Sequence, residues 1–131
     1  MLVLIHGWCH DMRTWQEVVP TLSRHHRVIR FDRRGWGKSG GSPDPLADPN
    51  DLDDLFTHPG IESAYVLGHS QGASGALAFA QTFTKPVKAL ILYGAPAPAG
   101  FGLPWDGADR VGDLAALARE KGTQAVVPSL A

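Results

Sequence analysis

The sequence predicts an α/β fold in which a parallel sheet lies between helices, in a three-layer α/β/α arrangement. Four short apolar runs alternate with helical segments along the chain. This alternation is typical of a parallel sheet covered by helices on both faces. The first run, Leu2–Ile5, is continuously apolar, as expected for a strand that is buried on both sides. A length of 131 residues, of which 44% are hydrophobic, allows one ordinary domain with a real core.

Composition excludes several classes of function. The net charge is −1 and neither sign clusters, so the sequence gives no indication of binding to nucleic acid or to an anionic membrane. No apolar run approaches the roughly 20 residues of a membrane span, and no signal-peptide cleavage pattern follows the first strand. The single cysteine, Cys9, excludes an internal disulfide framework. No Cys/His spacing indicates a metal site. We therefore expect a cytoplasmic protein without a bound metal.

The first half of the chain supplies two strands and one helix. Strand Leu2–Ile5 is followed by a helix over residues 14–24, which Pro20 must kink or end early. Residues 27–32 form the next predicted strand. The apolar positions at helical spacing are Trp15, Val18, Val19 and Leu22.

Two glycine patterns after the second strand resemble nucleotide-binding motifs but fail on context. Gly35-x-Gly37-x-x-Gly40 matches the dinucleotide fingerprint, which requires a helix that the following Gly-Ser-Pro-Asp-Pro segment cannot form. Gly37-Lys38-Ser39 matches the end of a phosphate-binding P-loop, but the required earlier glycine is Asp32. We interpret these glycines as turn residues in a loop near the floor of a pocket, and we expect no cofactor.

The second half of the chain continues the alternation of helices and strands. In order, the predicted elements are a helix over about residues 49–58, a strand over 64–68, a helix over about 71–83, a strand over 87–93, an amphipathic helix over 109–121 and a helical start over 124–131. Small residues line the helix over 71–83, so we expect it to lie close against the sheet and to be the most buried helix.

The junction between the third strand and its helix carries the main chemical signal. Gly68-His69-Ser70-Gln71-Gly72 has the form Gly-x-Ser-x-Gly, the nucleophile-elbow pattern. A serine on so tight a turn takes a strained backbone conformation, and its neighbours must lack bulk for the turn to close. The alternative is a chance pentapeptide, which the strand–helix position disfavours. The sequence therefore predicts Ser70 as the catalytic nucleophile, with Gly68 and Gly72 as supporting turn residues.

The loop after the first strand, which begins His6-Gly7-Trp8, completes the predicted site. Many serine hydrolases place an oxyanion-hole amide directly after a strand and a His-Gly pair. The backbone N–H groups of Trp8 and Gln71 are then the two expected donors, with His6 and Gly7 supporting the turn. We favour a structural role for His6 over direct catalysis. Two further interpretations concern the same loop: Cys9 packs rather than reacts, and His10 and Asp11 lie in a solvated loop or line the mouth of the site.

Three motifs together resemble the α/β-hydrolase family in content, order and spacing. They are Leu4-Ile5-His6-Gly7-Trp8, Phe31-Asp32-Arg33-Arg34-Gly35-Trp36-Gly37-Lys38-Ser39 and Gly68-His69-Ser70-Gln71-Gly72. The resemblance divides the chain into a partial hydrolase core over residues 1–96 and the start of a helical cap, or lid, over residues 97–131. It implies a Ser–His–acid triad that hydrolyses esters, thioesters, lactones or related bonds without a cofactor. It also implies that the four strands lie in the order second, first, third, fourth.

The sequence departs from the family pattern at the groups that move protons. The triad of this family runs serine, acid, histidine along the chain. None of the six histidines (6, 10, 25, 26, 58 and 69) follows Ser70, and no carboxylate separates the strand over 87–93 from Asp106. The family also places two antiparallel strands before the strand that begins here at Leu2. We expect a partial chain that lacks the base and is inactive by itself, with two sheet edges that lack their usual neighbours.

The predicted function is that of the N-terminal part of a serine hydrolase acting on a small-molecule carbonyl substrate. The alternatives are an acyltransferase, a C–C bond hydrolase or a cofactor-free dioxygenase on the same fold, and a non-catalytic relative that binds a ligand or a partner. The resemblance to lactonases and esterases beyond residue 96 is not specific enough to choose a substrate. The oligomeric state is not predicted.

Overall fold

The computed structural model describes residues 1–83, 87–95 and 120. Four parallel strands form one sheet: β1 (Leu2–Ile5), β2 (Val28–Arg30), β3 (Ala64–His69) and β4 (Val87–Tyr93). Their order across the sheet is β2-β1-β3-β4, which confirms the predicted order and the α/β class. Because β1 and β3 are central and parallel, their carboxyl ends lie at the same edge of the sheet.

Helices pack on both faces of this sheet. On one face, α2 (Asp48–Thr57) and α3 (Gln71–Thr82) cover a core that includes Val3, Val66 and the rings of Phe56 and Phe79, which are tilted by 45° with centroids 5.0 Å apart. On the other face, a 3₁₀ helix (Met12–Trp15) and the short helix α1 (Val19–Leu22) cover Leu2 and Leu4. The three-layer prediction is therefore confirmed.

The prediction of a single helix over residues 14–24 is wrong, because two short helices take its place. Pro20 lies in the first turn of α1, where its missing N–H costs nothing, so the helix begins there rather than running through it. The residues before it form the separate 3₁₀ turn, which Asp11 caps by accepting from the Arg13 amide at 2.8 Å. Val18, one of the apolar positions at helical spacing, lies between the two short helices and is 43% exposed.

The remaining elements differ from prediction only at their ends. Strand β2 has three residues instead of the six expected over 27–32, and α2 begins at Asp48. Helix α3 buries Gly72, Ala73, Gly75, Ala76 and Phe79, as its small residues predicted. The cap predicted over residues 97–131, including its two helices and Asp106, lies outside the described residues apart from Glu120. No helix within the described part of the chain is long and apolar enough to cross a membrane.

Candidate functional site

Ser70 lies at the sharp turn between β3 and α3, in a backbone conformation that L-residues rarely adopt. Its φ is 52° and its ψ is −122°, and α3 begins at the next residue. A Cβ on Gly68 would lie 2.5 Å from the Ala73 Cα, and one on Gly72 would lie 2.4 Å from the His6 carbonyl oxygen. The glycines of the Gly-x-Ser-x-Gly pattern are therefore required by contacts with backbone atoms that cannot easily move.

Replacing Gly72 with alanine is expected to destabilise the fold by about 1–3 kcal/mol, because the new methyl group would overlap two carbonyl oxygens at the end of β1. Chemical denaturation measures the change in the free energy of unfolding. Gly40→Ala is the matched control, since a Cβ there meets no heavy atom within 4 Å. Equal stabilities for the two variants would contradict the close packing of α3 against β1.

The loop after β1 lies directly against the serine turn. Ile5 is in register with Gly68, so both strands end at the same level of the sheet. A Cβ on Gly7 would lie 3.1 Å from the Ser70 Cβ, which leaves little room for any residue larger than glycine. The Trp8 ring packs edge-on against Trp36, with ring centroids 6.2 Å apart. These contacts hold the predicted His6-Gly7-Trp8 segment beside Ser70.

Backbone hydrogen bonding distinguishes the amides near Ser70. The Ser70 N–H donates to the Tyr93 carbonyl at 2.9 Å, and the Ala73 N–H donates to the Ser70 carbonyl at 2.9 Å. Within the described residues, no turn or loop hydrogen bond uses the N–H of Trp8 or of Gln71. The first N–H groups of a helix have no intrahelical partner, so Gln71 at the start of α3 carries a free donor. Neither amide has a turn or loop hydrogen-bond partner among residues 1–83 and 87–95, as the predicted donor role requires.

His6 is fully buried and both of its ring nitrogens contact backbone. The Arg33 N–H donates to Nε2 at 2.9 Å, so the ring proton is on Nδ1, which donates to the Gly7 carbonyl at 2.8 Å. Burial lowers the pKa of His6, and the nearby Arg33 charge lowers it further. A neutral ring with both nitrogens engaged cannot accept a proton from Ser70. The geometry supports the predicted structural role.

A buried polar network behind the serine turn was not predicted from the sequence. The Arg33 guanidinium, whose residue is 3% exposed, forms a two-point ion pair with Asp48, at 3.1 Å from Nε and 2.5 Å from Nη2. Both Nη atoms also donate to the Gln71 side-chain oxygen at 3.0 Å. The one available sequence signal was Asp48 before a proline at a helix start, and it does not indicate burial.

A second unpredicted feature is a group of aromatic rings around His69. His10 stacks on His69 with centroids 5.5 Å apart, and Tyr93 lies 5.3 Å away on a tilted plane. The Nδ1 atoms of both histidines are buried without a hydrogen-bond partner in the described part of the chain. His10 thus packs against His69, next to the serine turn.

The arrangement of strands, turn and loop matches a known family. The family model described as the alpha/beta hydrolase fold matches residues 1–124. The chain belongs to the α/β-hydrolase fold family.

Relatives within this family have several named activities. A soluble epoxide hydrolase of Corynebacterium sp. (strain C12) is 37% identical over 82 residues, which cover 60% of this chain and 29% of the relative. A pimeloyl-(acyl-carrier protein) methyl ester esterase of Pectobacterium atrosepticum is 36% identical over 91 residues, with coverages of 69% and 34%. The solved esterase of Exiguobacterium antarcticum has a TM-score of 0.76 at 26% identity, with coverages of 92% and 48%. The chain therefore spans about a third of the length of these curated relatives.

The glycines after β2 serve as turn residues in this α/β-hydrolase chain, as predicted. Gly35 and Gly37 have φ values of 75° and 55°. Asp32 accepts from the amides of Met12 at 2.7 Å and Lys38 at 2.8 Å, and a Cβ on Gly37 would overlap the Asp32 carboxylate. The amide of Lys38, which a P-loop would aim at phosphate, is already bonded to a carboxylate.

Stability is expected to fall as the pH falls below about 6.5. Burial lowers the pKa of His6 and of His69, so the unfolded chain binds protons at a pH where the folded chain does not. The stabilisation is complete above the ordinary histidine pKa of 6.5 and is lost as the pH falls from there toward the lowered values. Urea midpoints between about pH 7.5 and pH 5 measure this. The dependence of the urea midpoint on pH should weaken in His6→Asn and persist in the exposed control His25→Asn. A midpoint that stays unchanged or rises on acidification would contradict the lowered histidine pKa values as the cause.

Proposed function

We propose that this chain carries the nucleophile and the oxyanion hole of a serine hydrolase that cleaves esters, thioesters or lactones. The observation that carries the proposal is the backbone of Ser70, held at φ 52° between β3 and α3 with the loop after β1 packed against it. A non-glycine residue in this conformation stores strain, which such sites use to expose a nucleophile. No part of this chemistry requires a metal or an organic cofactor.

In the proposed reaction the Ser70 Oγ attacks the substrate carbonyl carbon. The carbonyl oxygen gains negative charge, and the N–H groups of Trp8 and Gln71 donate hydrogen bonds to it. Preorganised donors of this kind contribute roughly 2.7–4 kcal/mol each to the stability of the transition state. The tetrahedral intermediate then expels the alcohol or thiol to leave an acyl-serine, which water hydrolyses to the acid and free Ser70.

Each half of this reaction needs a base for the attacking hydroxyl and an acid for the leaving group. His6 cannot serve because both of its nitrogens are engaged, and the sequence has no histidine after Ser70. We propose that these 131 residues do not by themselves complete the Ser–His–acid triad. The isolated chain should therefore turn over slowly, because the triad acts as a unit.

Epoxide opening is the second candidate, favoured by the 37% identity to a named epoxide hydrolase. The site fits it less well. Attack on an epoxide occurs at a saturated carbon, and a neutral serine hydroxyl is a poor nucleophile there without a strong base. Two free amides beside the serine suit an oxygen that gains charge on a carbonyl.

The test uses the purified 131-residue chain with a p-nitrophenyl ester, styrene oxide and a fluorophosphonate probe, each with and without added imidazole as an external base. We expect little turnover of either substrate alone, and imidazole-stimulated acylation and fluorophosphonate labelling located at Ser70 by mass spectrometry. Ser74→Ala, one turn along α3 at an exposed position, should behave like the parent chain.

Each proposal has its own contradicting result. Rapid ester turnover without imidazole would overturn the proposal that the isolated chain lacks a catalytic base. Labelling that is spread over other residues would overturn the proposal that Ser70 is the nucleophile. Diol formation from styrene oxide in preference to ester cleavage would favour the epoxide reaction.

A further inference from the structure

The Arg33 side chain hydrogen-bonds to both segments of the proposed oxyanion hole, the serine turn and the loop after β1. Its Nη atoms donate to the side-chain oxygen of Gln71 at 3.0 Å, and Nη1 donates to the His6 carbonyl at 3.5 Å. Its backbone N–H donates to His6 Nε2 at 2.9 Å. One segment carries the amide of Gln71, and the other carries the amide of Trp8.

We propose that Arg33, held by Asp48, is a positioning residue that sets the relative placement of the Trp8 and Gln71 amides. This inference rests on the proposed function for its catalytic meaning. It adds a role for Arg33 and Asp48, neither of which hydrogen-bonds to Ser70 within the described residues. The network passes from α2, through the residues after β2, to the serine turn and the loop after β1.

The cost of burying Arg33 and Asp48 argues for a role beyond stability. Asp48 is 5% exposed and Arg33 is 3% exposed. Replacing such a buried ion pair with apolar side chains of similar volume is often neutral or stabilising, because the desolvation penalty offsets the attraction. The remaining donors of Arg33 bond to the Gln71 side chain and to the His6 carbonyl, as a role in fixing positions requires.

The position of Asp48 is itself fixed by close packing. A Cβ on Gly75 of α3 would lie 2.9 Å from Asp48 Oδ2, so α3 approaches the carboxylate as closely as glycine allows. Asp48 lies at the start of α2, where the helix dipole favours a negative charge. The guanidinium is planar and can contact the carboxylate and the Gln71 oxygen at the same time, which a lysine ammonium cannot match.

The neighbouring residue Arg34 provides a matched control. It pairs with Asp51, also on α2, through Nε at 2.9 Å and through a second Nη2 contact, but it is exposed and contacts neither His6 nor Gln71 in the described structure. Arg33→Met with Asp48→Leu removes the buried pair, and Arg34→Met with Asp51→Leu removes the exposed pair. Each double variant deletes one arginine and one aspartate; the two arginines are adjacent, and the two aspartates lie three residues apart on α2.

The experiment compares ¹H–¹⁵N spectra of the 131-residue chain and the two double variants. We expect the amide resonances of Trp8 and Gln71 to shift severalfold more in the buried-pair variant than in the exposed-pair variant. The Trp8 amide is the more telling probe, because neither variant replaces Trp8. A merely structural role would shift the amides of α2 and α3 without singling out Trp8. Asp48→Asn, which keeps the shape of the pair, is measured as well and decides the question if the double variant does not fold.

Imidazole-stimulated acylation of Ser70 is measured on the same proteins to separate the two proposals. We expect a roughly tenfold slower acylation in the buried-pair variant and no change in the exposed-pair variant, of the size that a weakened donor causes. Unshifted Trp8 and Gln71 amides would overturn the positioning role, whatever the activity. Shifted amides in a chain whose Ser70 is never acylated would support the positioning role and overturn the proposed function.

Discussion

Replacing Ser70 with alanine is expected to abolish acylation of this chain and, in a protein that supplies the whole triad, to lower kcat by on the order of 10⁶-fold. The reason is that the alanine side chain offers no atom to form the acyl bond, while the donors at Trp8 and Gln71 remain. Any rate that remains above that of the uncatalysed hydrolysis in water then reports the oxyanion hole and substrate binding. Intact-mass analysis measures acylation of the isolated chain after exposure to the p-nitrophenyl ester, and phosphonylation after exposure to the fluorophosphonate probe.

Stability separates the loss of chemistry from the loss of fold in this variant. Alanine at a positive φ is still strained, so Ser70→Ala should unfold at nearly the same denaturant concentration as the parent chain. Ser70→Gly should be slightly more stable, because glycine adopts this conformation freely. An alanine variant that is still acylated at the same rate would exclude Ser70 as the nucleophile.

Replacing Arg33 alone with methionine is expected to destabilise the fold by about 3–5 kcal/mol. The substitution leaves the Asp48 carboxylate buried without its partner, and burial already raises the pKa of that carboxyl against the opposing effect of Arg33. The free energy of unfolding from urea denaturation at neutral pH measures the effect. The variant should regain stability as the pH falls, because protonation neutralises the stranded carboxylate.

The double variant Arg33→Met/Asp48→Leu should recover most of the lost stability, since no charge then remains buried. Arg34→Met alone is the control and should cost no more than about 1 kcal/mol, the usual range for an exposed ion pair. If Arg33→Met and Arg34→Met lowered the free energy of unfolding by equally small amounts, the Arg33–Asp48 pair would not be buried as the structure has it.

Sequence patterns predicted the tight turn at Ser70 well because backbone geometry dictates residue type there. Ser70 could be found from its glycine neighbours, since only glycine leaves room between β3, α3 and the end of β1. The strand order followed from the family resemblance and was confirmed.

Features that depend on distant partners were not predictable in this way. Arg33 and Arg34 are adjacent and identical in type, yet one is buried and the other is exposed, because only one side chain points toward Asp48 and Gln71. Cys9, with a φ of 57°, shows that the loop after β1 needs a left-handed residue that its composition did not indicate. The interrupted helix before β2 followed from Pro20, whose position in the first turn depends on packing against β1.

The pairing of β1 with β3 has a consequence for how quickly the turn at Ser70 reaches its folded environment after synthesis. These strands are neighbours in the sheet, although β2 and α2 lie between them in the sequence. Parallel pairing across such a separation is slow, because the chain must close a long loop before any contact rewards it. Ser70 meets the Gly7 segment only once that loop has closed, so probe labelling during refolding should lag behind the formation of α2 and α3. The rate of probe labelling at Ser70 should therefore report the closure of the long loop between β1 and β3.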